Sequence, residues 1–121
     1  DRRPPRPGRR LMRRESDTPP FAVTQTVHRA LGPLVVLEVG ALKVRLTPRE
    51  AHTLALALFA VRDGRSAETE LFMSPIASDG IFVAPVGSDG IAVETSAGPV
   101  ALDWQAVGEL GAQLSPAAVP G

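Results

Sequence analysis

The sequence has no cysteine and no tyrosine among its 121 residues. Without cysteine, disulfide bonds, thiolate nucleophiles and zinc sites with sulfur ligands are excluded. Aromatic residues make up only 4% of the chain, so a base-stacking platform for single-stranded nucleic acid is poorly supplied. The longest unbroken apolar run, Leu54 to Val61, is much shorter than the roughly 20 residues that a transmembrane helix needs. We therefore expect no membrane partner.

Residues suited to catalysis or metal binding are equally sparse. The two histidines, His28 and His52, lie on different predicted elements, and neither has a carboxylate at metal-ligand spacing. No nucleophile elbow, phosphate-binding glycine loop or His-Glu-x-x-His sequence occurs. An enzyme would need a deep pocket that holds at least two carboxylates of the C-terminal half, which are Asp79, Asp89, Glu94 and Asp103. We expect these in turns, on an exposed strand face and at a helix cap, and so expect no catalysis, cofactor or metal.

The formal net charge of zero conceals a strong asymmetry along the chain. Residues 1–14 contain seven arginines and one aspartate, whereas residues 15–121 have a net charge of −6. Several prolines and the scarcity of apolar residues predict a disordered arm over residues 1–20. A basic arm on an acidic body is typical of a contact with phosphate or with an acidic surface. The candidate nucleic-acid contacts are Arg2, Arg3, Arg6, Arg9, Arg10, Arg13 and Arg14.

Two other interpretations of this arm are open. If the natural chain starts at Met12, five of the seven arginines are lost and the net charge becomes −4, which disfavours nucleic-acid binding. Alternatively, the arm folds back onto its own acidic body. No apolar stretch of about 7–15 residues follows the arginines, as a secretory signal would require, so we expect a cytoplasmic protein.

The clearest local pattern is a β-hairpin over residues 34–46. Two apolar runs flank a Gly-Ala pair, and glycine at the first central position favours a two-residue turn. The resulting register places apolar pairs such as Val39 and Leu42 on one face, and it pairs Glu38 with Lys43 on the other. A shift by one residue would destroy both features, so the register is well specified.

A helix is predicted directly after the hairpin, over Pro48–Arg62. Its start, Thr47-Pro48-Arg49-Glu50, has the residues of a capping box with proline at the first helical position. Apolar residues surround most of the circumference, so a single buried stripe does not account for them. We expect one face to pack on the hairpin and another to form a homodimer or dock a protein partner. The candidate partner-binding residues are Leu56, Phe59 and Ala60.

The C-terminal half alternates short apolar runs with turns. The tetrapeptide Ser-Asp-Gly-Ile begins at residue 78 and again at residue 88. Each copy leads into a short β run, over Ile81–Val86 and Ile91–Thr95, which is typical of a small antiparallel meander. Because proline cannot donate to a ladder, Pro85 places the first run at a sheet edge or a bulge.

Three further elements complete the expected order. Alternating residues predict strands from Phe21 onward and over Ala67–Met73. Asp103 is positioned to cap a short last helix that ends near Leu114, followed by a frayed tail over residues 115–121. With 44% hydrophobic and 21% charged residues, the chain is typical of one globular domain, expected over residues 21–114.

One segment is similar to a known family. From Val39 to Leu58 the order is strand, turn, strand and helix, with Leu46-Thr47-Pro48-Arg49-Glu50 at the helix start. This resembles the start of the winged-helix DNA-binding domain of response regulators, in which a small β platform leads into a Leu-Thr-Pro-x-Glu helix. Gly64-Arg65-Ser66 is similar to the loop that follows there. The resemblance implies a later recognition helix, but residues 72–86 predict strands, so we carry no DNA-contacting residue across.

Together these patterns predict an α+β fold with a small antiparallel sheet, built from the hairpin and the meander, and with both helices on one face. Fold alone does not determine activity. We expect a small non-catalytic interaction or regulatory module that self-associates or docks a protein partner through the helix 48–62. Nucleic-acid binding through the arginine-rich arm is the alternative.

Overall fold

The computed structural model describes residues 20–78 and 80–118. Most of the predicted arm, residue 79 and residues 119–121 lie outside the described residues. The elements follow the order β-β-β-α-β-β-β-β-α, and the α+β class is confirmed. Their bounds are β1 Phe21–His28, β2 Gly32–Val39, β3 Leu42–Leu46, α1 Pro48–Arg62, β4 Glu70–Met73, β5 Phe82–Pro85, β6 Gly90–Val93, β7 Val100–Asp103 and α2 Trp104–Ala118.

The first three strands form one antiparallel sheet with β2 in the centre. The predicted register of β2 and β3 is confirmed, because Val39 lies opposite Leu42 and Glu38 lies opposite Lys43. The Lys43 ammonium is 3.7 Å from the Glu38 carboxylate on the outer face. Gly40 has a φ of +56° in the turn, a left-handed conformation that glycine adopts without steric cost. The apolar pairs face the core and form the platform on which α1 packs.

The capping box of α1 is also confirmed. The Thr47 N–H donates to Glu50 Oε1 at 2.9 Å, and the Glu50 N–H donates to Thr47 Oγ1 at 3.1 Å. These two bonds satisfy backbone donors that would otherwise lack a partner at the helix start. The second oxygen of Glu50 accepts the Ile76 N–H at 3.1 Å, so the cap also ties the loop between β4 and β5 to α1.

The two helices pack against the first sheet and against the β6–β7 sheet. α1 contacts β2 and β3, α2 contacts β1, β6 and β7, and the most extensive contact between elements joins the two helices. The buried residues of α1 are Ala51, Leu54, Ala55, Leu58 and Val61, and α2 adds Val107, Leu110 and Leu114 to the same core. One continuous hydrophobic core therefore holds the strands and the helices together.

The seven strands form three small sheets, because β4–β5 and β6–β7 are separate two-stranded sheets. The meander order is nevertheless present between them. The Glu94 N–H donates to the Val83 carbonyl at 2.9 Å, and the Gly87 N–H donates to the Gly90 carbonyl at 2.8 Å. Pro85 lies midway between these bonds, and proline has no N–H to donate. The ladder between β5 and β6 is interrupted for this reason, as expected for proline next to a sheet edge.

The C-terminal helix is longer than predicted. Asp103 caps it as expected, since its Oδ1 accepts the Ala106 N–H at 2.9 Å. The helix continues to Ala118, so residues 115–118, predicted as part of a frayed tail, are helical. Leu114 is fully buried near this end, and packing against α1 stabilises turns that propensity alone would leave weak.

The winged-helix resemblance ends at α1. Between Arg62 and Trp104 the described residues contain only strands, turns and loops, so the implied recognition helix is absent from this part of the chain. The similarity is therefore confined to a hairpin followed by a well-capped helix.

Two glycines of α2 provide a matched test of the helix–helix contact. A Cβ atom at Gly111 would lie 2.7 Å from Phe59 Cε1, whereas one at Gly108 would meet only the flexible end of Arg62. We expect Gly108→Ala to stabilise the protein by about 0.5–1 kcal/mol through helix propensity. Gly111→Ala should instead destabilise it by about 1–2 kcal/mol, because the ring must move. Urea unfolding measures both, and equal stabilisation by the two substitutions would contradict the packing described.

Candidate functional site

The predicted partner-binding residues of α1 do not form one exposed surface. Leu56 is 55% exposed, whereas Phe59 and Ala60 are half-buried. The Phe59 ring packs against α2 at Gly111, and the Arg62 guanidinium lies over the ring at 4.9 Å from its centroid. The apolar flank that we expected α1 to offer to another molecule is therefore largely covered by the chain itself.

The glycines at positions 108 and 111 are the sequence pattern that indicates this contact. They are three residues apart, so they share one side of α2, and the missing side chains leave room for Arg62 and Phe59. The sequence predicted both helices on one face of the sheet but did not reveal this direct contact between them.

A second apolar surface, which the sequence interpretation did not identify, lies on the outer side of the meander. Leu71, Phe82 and Ala84 are buried in the core, so the residues that alternate with them point outward. Two of these, Phe72 and Ile81, are 61% and 44% exposed. We call this surface the meander face, and its outward residues are Glu70, Phe72, Ile81, Val83, Pro85, Ala92, Glu94, Ala101 and Asp103.

The ionisable side chains of this half of the chain all have one sign. From residue 66 onward there are seven Asp and Glu residues and no Lys, Arg or His, because all 13 Lys and Arg residues lie in residues 1–65. On the meander face, Glu70, Glu94 and Asp103 accompany Phe72 and Ile81. A negative potential over an exposed apolar surface favours a cationic partner.

The acids of the first half differ, because basic neighbours accompany them. Arg62 Nε donates to the Asp63 carboxylate at 2.8 Å, and Arg65 lies 3.4 Å from the same carboxylate. The hydrogen bond from Arg62 holds the pKa of the Asp63 carboxyl below its usual value. These exposed pairs stabilise the end of α1 and leave no comparable excess of negative charge there.

A groove of about 440 Å³ lies at the end of the meander face formed by the turn between β5 and β6. Asp89 and Asp103 line it together with small apolar side chains and turn backbone. The Trp104 indole N–H donates to the Ser88 carbonyl at 2.9 Å and so attaches the turn to the start of α2. A Cβ atom at Gly90 would overlap the backbone of β7, so only glycine allows the strands to meet at this groove.

Two of the four carboxylates considered for catalysis thus line the same groove. Asp89 and Asp103 are both exposed, the groove is open to solvent, and Asp103 already accepts the hydrogen bond that caps α2. Glu94 does not line the groove, and Asp79 lies outside the described residues. No group of three potential metal ligands occurs within residues 20–78 and 80–118. The geometry is an open acidic groove.

The outer edge of β4 has no partner strand among the residues described, since β4 pairs only with β5. The Val86 N–H donates to the Thr69 carbonyl at 2.9 Å, which makes this a hydrogen-bonded pair. Because such pairs alternate along an antiparallel ladder, the backbone groups of Leu71 also face β5. Those of Glu70 and Phe72 point away from β5, toward the open edge.

A smaller groove of about 300 Å³ lies on the outer side of the first sheet and includes His28, Lys43 and Arg45. Polar groups of all three already have partners within the chain. Arg45 Nε donates to the Ala77 carbonyl at 3.2 Å, Lys43 pairs with the neighbouring glutamate, and His28 Nδ1 accepts two N–H groups of the following turn. These contacts stabilise turns and strand pairs, so we assign no ligand to this groove.

The candidate nucleic-acid contacts, Arg2 through Arg14, lie outside the described residues. No protein-family model, curated protein or solved structure matches the chain. Neither of the two described helices has the length and apolar character needed to cross a membrane.

Substitutions on α1 test whether its remaining exposed residue matters for self-association. We expect Leu56→Lys to change the free energy of unfolding by less than about 0.5 kcal/mol, because the side chain is largely in water. Phe59→Lys should lower it by about 2–3 kcal/mol, since it removes the ring from the contact with α2. Denaturant unfolding gives the stabilities, and sedimentation equilibrium gives the oligomeric state. A shift from dimer to monomer in Leu56→Lys would show that Leu56 belongs to a dimer interface, so that α1 would be the docking surface.

Proposed function

We propose that this protein is a small non-catalytic interaction module that docks a basic segment of a partner protein on the meander face. The observation that carries the proposal is the 61% exposure of Phe72 on a surface whose ionisable side chains are all acidic. Single exposed apolar residues need no explanation, but Phe72 and Ile81 lie on one sheet face beside the half-buried Val83. The proposal keeps the expected class of function and moves the docking surface from α1 to the meander.

The affinity of such a complex would come from several small contributions. Full burial of a large apolar side chain contributes about 1.5–3 kcal/mol, and the remaining exposure of Phe72 and Ile81 corresponds to roughly half of that for each. The acidic side chains add attraction to a cationic partner and raise the association rate, both of which salt weakens. We therefore expect a transient complex that dissociates as ionic strength increases.

Self-association is less well supported than docking of a different protein. Leu56 alone remains mainly exposed among the three predicted residues of α1. Contact between two meander faces would bring Glu70, Glu94 and Asp103 of one copy close to acids of the other, which costs free energy. A partner with basic side chains avoids this repulsion.

Nucleic-acid binding through the arginine-rich arm and a cytoplasmic location stay predictions. About six phosphate contacts would give a slope of about −5 for log affinity against log salt on duplex DNA. The acidic meander face itself repels nucleic acid, so such binding would depend on residues 1–14 alone. A duplex oligonucleotide titrated in parallel with the peptides below separates the two functions.

Two matched peptides test the proposal. The first, here the Lys peptide, is capped Lys-Thr-Val-Thr-Lys-Thr-Val, and the second, the Glu peptide, carries Glu in place of both Lys residues. We expect the full chain to bind the Lys peptide, with an affinity that falls at least tenfold between low and physiological salt, and not to bind the Glu peptide. Fluorescence anisotropy measures both. Equal binding of the two peptides would contradict the proposal.

Substitutions on the meander face test whether the Lys peptide binds there. We expect Phe72→Ser and the double change Glu70→Lys/Glu94→Lys each to weaken binding of the Lys peptide about tenfold or more. Glu109→Lys, on the exposed side of α2, is the control and should leave binding unchanged. Thermal unfolding checks that each variant is folded. If the meander variants bind as tightly as the unchanged protein, another surface is responsible.

The chain's own basic segment makes it necessary to test peptide binding in one further variant of the chain. Residues 9–14 are Arg-Arg-Leu-Met-Arg-Arg, so an arm that folds back on the acidic body would compete with added peptide. We therefore repeat the titration with these four arginines changed to glutamine in the full chain. Tighter binding of the Lys peptide in this variant would support occupancy of the face by a basic segment. Absence of binding in this background as well would overturn the proposal.

A further inference from the structure

We propose that the basic partner segment binds as an additional β-strand along the open edge of β4. This inference rests on the proposed function, because it names the conformation of the partner and the mode of its contact at the same surface. The backbone hydrogen bonds of an added strand provide affinity, and its alternate side chains provide specificity. The partner is therefore an extended segment and not a helix or a folded domain surface.

The edge of β4 offers the backbone groups that such a strand needs. The N–H and C=O groups of Glu70 and Phe72 point away from β5, and within the residues described no strand pairs with them. No other backbone group bonds to them within the described residues, and β5 is the only element with a substantial contact to β4. An incoming strand can form up to four hydrogen bonds with these two residues.

The charge of the edge decides which strand can bind. Glu70 is exposed on this edge, and a second copy of β4 has no basic residue to place opposite it. Natural sheets use charged residues in this way to prevent pairing of identical edges. A strand with lysine or arginine reverses the sign of this interaction, so the same residues that exclude a second copy admit a basic partner.

The alternation of side chains further defines the partner sequence. Glu70 and Phe72 are two residues apart and share the meander face, so the added strand meets them with its own residues two apart. The best partner has a basic residue opposite Glu70 and an apolar residue opposite Phe72. The Lys peptide has this spacing on one face and uncharged threonines on the other.

The geometry allows a substitution that removes one backbone donor without touching the rest of the sheet. The Glu70 N–H makes no hydrogen bond to β5, so Glu70→Pro should leave the β4–β5 ladder intact while it deletes a donor for the added strand. Glu70→Gln is the matched control, because it also removes the charge but keeps the N–H. We expect Glu70→Pro to bind the Lys peptide at least tenfold more weakly than Glu70→Gln, with similar thermal unfolding of both variants.

A second measurement changes the peptide and leaves the protein unchanged. Two versions of the Lys peptide carry N-methyl groups, one on the Lys and Val residues and the other on the Thr residues. In a strand these two sets of N–H groups point to opposite edges, so only one set faces β4. We expect one methylated peptide to lose binding and the other to retain it, and the set that abolishes binding reports the direction of the strand.

The outcomes separate this inference from the proposed function. If Glu70→Pro and Glu70→Gln bind equally and the two methylated peptides bind equally, the partner docks by its side chains and strand addition is wrong. The proposed function then still stands, provided that the Lys peptide binds and that Phe72→Ser weakens this binding. If the unmethylated Lys peptide does not bind to the full chain or to its glutamine variant, the proposed function itself fails.

Discussion

The contact between α1 and α2 determines which surfaces of this protein face solvent. α1 is apolar around most of its circumference, and it is covered on one side by the hairpin and on another by α2. Gly108 and Gly111 permit the close approach, so the side chains of Arg62 and Phe59 lie against α2. Without α2, the Phe59 ring would be in water and association through α1 would be the expected consequence. With α2 in place, the chain itself covers this apolar side of α1.

The same core leaves the outer side of the meander without a cover. Leu71, Phe82 and Ala84 fill the inner side, so the strict alternation of a strand places Phe72 and Ile81 outside. The uneven distribution of charge then gives this side its chemistry, since every Lys and Arg residue precedes residue 66. An apolar surface with acidic side chains and an open strand edge is suited to a basic, extended partner.

Features set by neighbouring residues were predictable. The capping box depends on Thr47 and Glu50, three residues apart, and the register of the hairpin depends on a two-residue turn and its flanking pairs. Pro85 likewise indicated a weakness in the meander, because a missing N–H has the same effect in any sheet. The candidate site was not predictable in this way. Phe72 belongs to a weakly alternating run, and its exposure depends on which side of β4 faces the hydrophobic core.

The sequence by itself therefore determined the class of fold, the order of its elements and the starts of both helices, because short-range hydrogen bonds and side-chain periodicity decide these. Only the tertiary structure decided that α2 covers Phe59 and that the meander face remains exposed. The physical reason is that burial depends on contacts between elements that are distant in sequence. The identity of an apolar residue does not show which element will cover it. Apolar patterning showed how much surface had to be buried, and packing selected the surface left for a partner.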